Sequence, residues 1–139
     1  MDEDGYLYIT GRKKNIIVTA NGKNVFPEEL ETYLLRSPYV AECAVVGIMN
    51  ERKRDYDVVA LVYPDLTYAK EVLGVYANNR MVYEKISEEI KRINGYVQPY
   101  KHIDMLIMRD EEFLKNSSRK IKRAGLVEGV MDEYLLRRG

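Results

Sequence analysis

The sequence holds one cysteine, one histidine, two phenylalanines and no tryptophan. Cys43 has no partner for an internal disulfide. A single Cys with a single His cannot assemble the usual zinc ligand set, so no metal site is expected. Charge of either sign in excess is also missing: 22 Lys and Arg balance 22 Asp and Glu. Nothing global therefore points to nucleic acid or to an anionic membrane, and any electrostatic function must come from local clustering. No apolar run approaches the roughly 20 residues that span a bilayer. Membrane association stays open but is not indicated. The start, Met1-Asp2-Glu3-Asp4-Gly5, is acidic and unlike a signal peptide, so a cytoplasmic domain is the expectation. No P-loop, HExxH or GxSxG pattern occurs.

What is present suits one domain. A length of 139 residues fits a single unit. A domain of that size buries roughly two-thirds of its unfolded surface, enough for a core without disulfides. The 12 tyrosines are spread along the chain and read as amphipathic packing residues rather than a base-stacking platform.

The pattern of elements is mixed. Tyr6 to Ile9 is a short strand candidate, broken by the basic run Gly11-Arg12-Lys13-Lys14-Asn15. Ile16 to Thr19 is β-branched, Asn21-Gly22 is a tight-turn signal, and Val25-Phe26 returns as the partner strand. Pro27 suits the first position of a helix, Glu28 and Glu29 favour its start, and Leu30, Tyr33 and Leu34 share one face. Val40 to Ile48 and Val58 to Tyr63 read as strands around a polar loop from Asn50 to Tyr56. Tyr68 to Asn94 reads as helix, interrupted near Asn78-Asn79. Ile103 to Met108 is a third strand, residues 111 to 123 are polar and then basic, and Leu126 to Leu136 is a terminal helix. The expected fold class is α+β: an N-terminal β-hairpin plus a small three-stranded sheet flanked by helices.

Three stretches carry possible chemistry. Lys115-Asn116-Ser117-Ser118-Arg119-Lys120-Ile121-Lys122-Arg123 has five basic residues and no acidic one. Such a run can bind phosphates, although charge runs are more often solvated faces. Its place after a strand, on a small polar loop, favours a lysine carried into a cleft. In the second stretch, Gly11 could serve as a hinge and Arg12 could hydrogen-bond a ribose or phosphate. In the third, the tip Asn21-Gly22-Lys23 could let a ligand chain pass close to backbone. Cys43 lies among Ala44, Val45 and Val46 and reads as a core thiol, and His102 lacks the neighbours a catalytic base needs.

Taken together, these stretches resemble the C-terminal domain of adenylate-forming enzymes, the group that includes acyl-CoA synthetases. GYLYITGRKKNIIVTANGKNVFPEELE is similar to their hinge and hairpin motif. SPYVAECAVVGIMNE resembles the strand that follows, QPYKHID the Tyr-Lys segment before the last strand, and NSSRKIKR the terminal Ser/Thr-Gly-Lys-Ile-x-Arg motif. The order is right and the match covers nearly the whole chain. Arg12 to Gly22 spacing, Lys13-Lys14 and the Arg119 to Arg123 ending look most like the long-chain fatty acid–CoA ligase branch.

The resemblance implies a function. Residues 1–139 would be the mobile C-terminal domain of a larger chain, with residues 1–11 ending a hinge segment and the large N-terminal domain of the same chain as partner. Lys120 falls on the lysine that bridges substrate carboxylate and the ATP α-phosphate. Arg12 falls on the ribose-contacting arginine and Gly11 on the hinge. Asn21, Gly22 and Lys23 fall on the loop lining the pantetheine path of coenzyme A. Fatty acid, ATP with Mg2+, and CoA are the implied ligands, and nucleic acid is not among them. The isolated domain is expected to be inactive. Two other readings stand beside this one: an acyl-AMP ligase that loads a carrier protein, and a non-catalytic binding module with the same fold. The chain departs from the pattern at Gly11, often Asp or Lys, at Arg119, usually Gly, and at Val18-Thr19, where some members carry a second lysine.

Overall fold

The computed structural model describes residues 15–138. A short hairpin comes first, β1 (Ile17–Val18) against β2 (Asn24–Val25), antiparallel with Ile17 opposite Val25. Gly22 turns it at φ 79°, a left-handed conformation that glycine adopts without a Cβ penalty. Helix α1 (Pro27–Leu34) follows at once, with Pro27 in its first turn and Glu28 and Glu29 at its positive end. Its inner face is Pro27, Leu30 and Leu34.

The main sheet is ordered β3 (Val40–Asn50), β4 (Asp55–Pro64), β5 (Met105–Met108). β3 and β4 form a long antiparallel hairpin, and β5 lies parallel to β4 on its other side. The parallel pairing needs a crossover, supplied by α2 (Leu66–Leu73) and α3 (Asn79–Tyr96). A 3-10 turn, Pro99–Lys101, leads into β5, and α4 (Leu126–Arg138) closes the described chain.

The sheet is covered on both faces, which explains why β4 is apolar without alternation. Cys43, Val45, Val58, Ala60 and Val62 face α1 and α3, together with Ile17 and Val25 of the hairpin. Ala44, Val46, Ile48, Val59, Leu61 and Ile107 face the other way, onto Leu126, Val130 and Tyr134 of α4. The hairpin can approach the sheet because position 47 is glycine. A Cβ there would stand 2.9 Å from Cγ1 of Ile17.

The α+β expectation and its layout hold, and the differences lie at boundaries. The polar stretch from Asn50 to Tyr56 is a loop only at residues 51–54: β3 runs to Asn50 and β4 begins at Asp55. Tyr56 pairs with Met49 because a two-stranded ribbon extends as long as backbone partners exist, whatever the side chains. The helical stretch is two helices. α2 ends at Gly74, and Asn78 caps α3 by accepting from the Met81 N–H at 3.0 Å. Phe113, in the stretch read as polar, is 3% exposed and joins the α4 side of the core. The tyrosines divide: Tyr134 is fully buried, while Tyr76 is 91% exposed.

Candidate functional site

The basic stretch forms a tight turn between β5 and α4. Lys115 bridges to Ile121 in antiparallel fashion, and the Asn116 N–H donates to the Lys120 carbonyl at 2.8 Å. The Asn116 side chain organises the interior. Its Oδ1 accepts from the N–H groups of Ser118 at 2.9 Å and Lys120 at 3.0 Å. Short polar side chains favour such turns because they substitute for backbone partners two residues on. Ser117-Ser118 is thus part of a defined turn. Asn116 is a residue the motif reading passed over, although an Asn opening a Ser-Ser turn is a recognisable signal.

Arg119 stands at φ 63°. Glycine occupies left-handed conformations freely, whereas other residues do so at a cost. The departure Arg119 in place of the usual glycine therefore falls on a position whose backbone suits glycine. The turn shape is kept with a side chain that makes it dearer.

Five cations enter this turn, and they separate into two groups. Lys115 pairs with Glu42, whose other oxygen accepts from the Phe113 N–H at 3.0 Å. Arg123 holds both oxygens of Glu31 at 2.7 and 2.6 Å. Arg119, Lys120 and Lys122 are exposed and have no carboxylate partner among the described residues. The basic run is therefore part structural brace and part free cation, a division that needed the positions of Glu31 and Glu42. Burial pushes the Glu31 carboxyl up, while the hydrogen bond and charge of Arg123 and the Val45 N–H pull it back. Short contacts from one guanidinium nitrogen to both oxygens are those of an ionised carboxylate.

Lys120 and Lys122 line an open groove of about 860 Å3 shared with Asn15, Glu28 and Leu35. Asn15 donates to Glu28 at 3.2 Å along it. Cys43 reaches the same groove from the core, but burial, with the Glu31 charge, pushes its thiol up to about 12, so it is no nucleophile at neutral pH.

The hairpin tip is a separate feature. Asn21, Gly22 and Lys23 are exposed, with the loop closed by Gly22 N–H to the Thr19 carbonyl at 2.9 Å and Lys23 N–H to Thr19 Oγ1 at 3.0 Å. The Asp55 carboxylate accepts from the Ala20 N–H at 3.0 Å and ties the tip to β4. Asn21 opens onto a cleft of about 180 Å3 beside Tyr100 and His102, not onto the groove of Lys120. The structure thus keeps the tip residues together and sets Lys120 on a different surface. Gly11 and Arg12 lie outside the described residues.

A three-stranded mixed sheet stands behind a glycine-turned hairpin, with Lys120 on a tight turn before α4. Residues 14–133 match the family model described as AMP-binding enzyme C-terminal domain, and the chain belongs to that family.

Its relatives are CoA ligases. The chain is 34% identical over 98 residues to the mouse (Mus musculus) medium-chain acyl-CoA ligase ACSF2, mitochondrial, covering 69% of this chain and 16% of that protein. It is 60% identical over 47 residues to the long-chain-fatty-acid–CoA ligase FadD15 of Mycobacterium tuberculosis, covering 34% of this chain and 8% of that one. Among solved structures, a Mycobacterium tuberculosis fatty acyl CoA synthetase superposes with TM-score 0.66 and 26% identity, covering 95% of this chain and 23% of its own. ATP-bound MatB from Rhodopseudomonas palustris superposes with TM-score 0.67 and 27% identity, covering 96% and 23%. The chain thus corresponds to less than a quarter of the length of these proteins.

Proposed function

We propose that this chain acts as the mobile C-terminal domain of an ATP-dependent fatty acid–CoA ligase, with Lys120 as its adenylation lysine. The observation that carries the reading is the setting of Lys120: exposed, held by Asn116 on a tight turn, and facing a groove of about 860 Å3. Family membership and the CoA-ligase relatives support the reaction class.

In the first half-reaction a fatty carboxylate oxygen attacks the α-phosphorus of ATP. The bond from that phosphorus to the bridging oxygen breaks, and pyrophosphate leaves. Two anions must meet, and the Lys120 ammonium offsets the charge that develops between them. One such contact is worth about 3–4 kcal/mol, on the order of 10²–10³ in rate. Mg2+ accompanies the triphosphate. Among the described residues no group of three His, Cys, Asp or Glu is placed to hold it.

In the second half-reaction the CoA thiol attacks the acyl carbonyl and AMP leaves. The domain turns about Gly11, Lys120 withdraws, and the tip Asn21-Gly22-Lys23 lines the path of the pantetheine arm. Arg12 contacts the ribose of the nucleotide. The separation of Lys120 and the tip onto different surfaces supports a division of labour between two orientations. The large domain of the same protein supplies the acyl pocket, so the isolated domain is inactive. Among the described residues no helix is long and apolar enough to cross a membrane.

The test is ATP-dependent acyl-CoA formation by the full-length protein over a fatty acid series. The reading expects acyl-CoA, AMP and pyrophosphate in equal amounts, with Lys120→Ala slower by about 10²-fold or more. Pyrophosphate exchange without acyl-CoA would instead mark a carrier-protein ligase. An inactive full-length protein would mark a binding module.

A further inference from the structure

We infer that Arg123, clamped by Glu31, is a positioning residue that holds Lys120 in register for adenylation and has no part in CoA transfer. This rests on the reading of Lys120 given above.

The geometry is a three-way junction. One guanidinium nitrogen of Arg123 donates to both oxygens of Glu31 on α1, and another donates to the Val45 carbonyl on β3 at 3.3 Å. The same Glu31 carboxylate accepts the Val45 N–H at 2.8 Å. Helix, central layer and lysine turn are therefore joined at one carboxylate. The side chains are 24% and 12% exposed, so solvent screens the pair little.

Lys120 is three residues from this junction. Between them Ile121 packs against the α4 side of the core, and the Lys122 N–H donates to the Leu114 carbonyl at 2.8 Å. The incoming leg of the turn is held separately, by Lys115 and the Phe113 N–H on Glu42. The turn is thus suspended from two carboxylates, one per leg. On the outgoing leg the Arg123 fork limits where the Lys120 backbone can stand. Arg123 itself is not free to bind phosphate: its fork is committed, and breaking a half-buried pair leaves a carboxylate without its partner. Misplacing a catalytic group by about 1 Å can cost on the order of 10²-fold in rate.

Lysine cannot reproduce the fork, since it presents a point charge on a flexible stem. Arg123→Lys in the full-length protein tests the inference in three readouts. Pyrophosphate exchange at saturating substrates is expected to fall about tenfold or more, with KM for fatty acid changed by less than about twofold. CoA transfer to supplied acyl-adenylate is expected to stay at the wild-type rate. In a Lys120→Ala background, Arg123→Lys is expected to cost nothing further, because a residue acting through Lys120 has nothing left to position. Glu31→Gln should show the same selective loss, which guards against a folding defect peculiar to one variant.

Equal losses in both half-reactions would make the pair a brace for the fold alone and overturn the inference. So would a further loss on top of Lys120→Ala, or exchange at the wild-type rate in Arg123→Lys. Lys120→Ala exchanging as fast as wild type would overturn the lysine assignment itself, and that single variant separates the two failures.

Discussion

The hydroxyl of Tyr134 on α4 donates a 2.7 Å hydrogen bond to Oδ2 of Asp57 on β4. Both residues are buried, at 0% and 7% exposure. The Asn50 amide also donates to Oδ2, at 2.9 Å, and Lys53 reaches Oδ1 at 2.6 Å. Burying a carboxylate in a sheet demands such partners. The result fastens α4 to the face of the sheet opposite α1, and so fixes the far end of the segment that carries Lys120. Removing the hydroxyl in Tyr134→Phe leaves the ring packed and one acceptor short of a donor. Loss of about 1.5–3 kcal/mol in urea unfolding of the domain is expected, the range for a hydrogen bond to a charged group. Unchanged stability would mean the contact contributes nothing.

Acid should release the same anchor. Burial pushes the Asp57 carboxyl up, but the hydrogen bonds from Lys53, Tyr134 and Asn50 and the Lys53 charge outweigh it and hold the group below its ordinary value. A carboxyl whose folded value is depressed contributes its stability above the unfolded value of about 3.9, and loses it as pH falls through the folded value. Glu31 and Asp104, pushed up by burial, work in the opposite sense as pH rises from that region. The informative quantity is therefore a difference. Asp57→Asn should be less stable than wild type at pH 7, with the gap closing below about pH 4. A gap constant from pH 7 to pH 3 would contradict the assignment.

Arg119 supplies a prediction of opposite sign. At φ 63° a β-carbon is strained, and the Arg119 side chain is exposed. Arg119→Gly should be neutral or stabilising by up to about 1 kcal/mol, since relief of strain exceeds the extra freedom of glycine when unfolded. Arg119→Val, β-branched at the same dihedral, should cost about 1–3 kcal/mol and expose the turn to proteases. Denaturant midpoints of the two variants check the ordering. Valine equal to glycine would show that the turn is not left-handed at this residue in solution.

How far the sequence reached depended on whether a signal was local. Asn21-Gly22 announces the hairpin because both residues tolerate positive φ. Pro27 with Glu28 and Glu29 announces α1 for equally local reasons. Strand length at the turn of residues 51–54 was not legible, because backbone pairing carries polar residues such as Asp55 into the ladder. Phe113 was hidden among acidic neighbours, since it is buried in a cluster built from β3, β4, β5 and α4, mostly far away in sequence. At the candidate site, Lys120 and the tip Asn21-Gly22-Lys23 were legible as motifs. The pairing of Arg123 with Glu31 and of Lys115 with Glu42 was not, because each joins residues some seventy or more positions apart. A list of charges cannot reveal which cations are already engaged.

The most direct test of the account separates the two half-reactions in Lys120→Ala of the full-length protein. Pyrophosphate exchange reports adenylation, and single-turnover CoA transfer to synthetic acyl-adenylate reports the second step. The account predicts exchange reduced about 10²–10³-fold, with transfer at the wild-type rate. Exchange as fast as wild type, or equal loss of both steps, would contradict it.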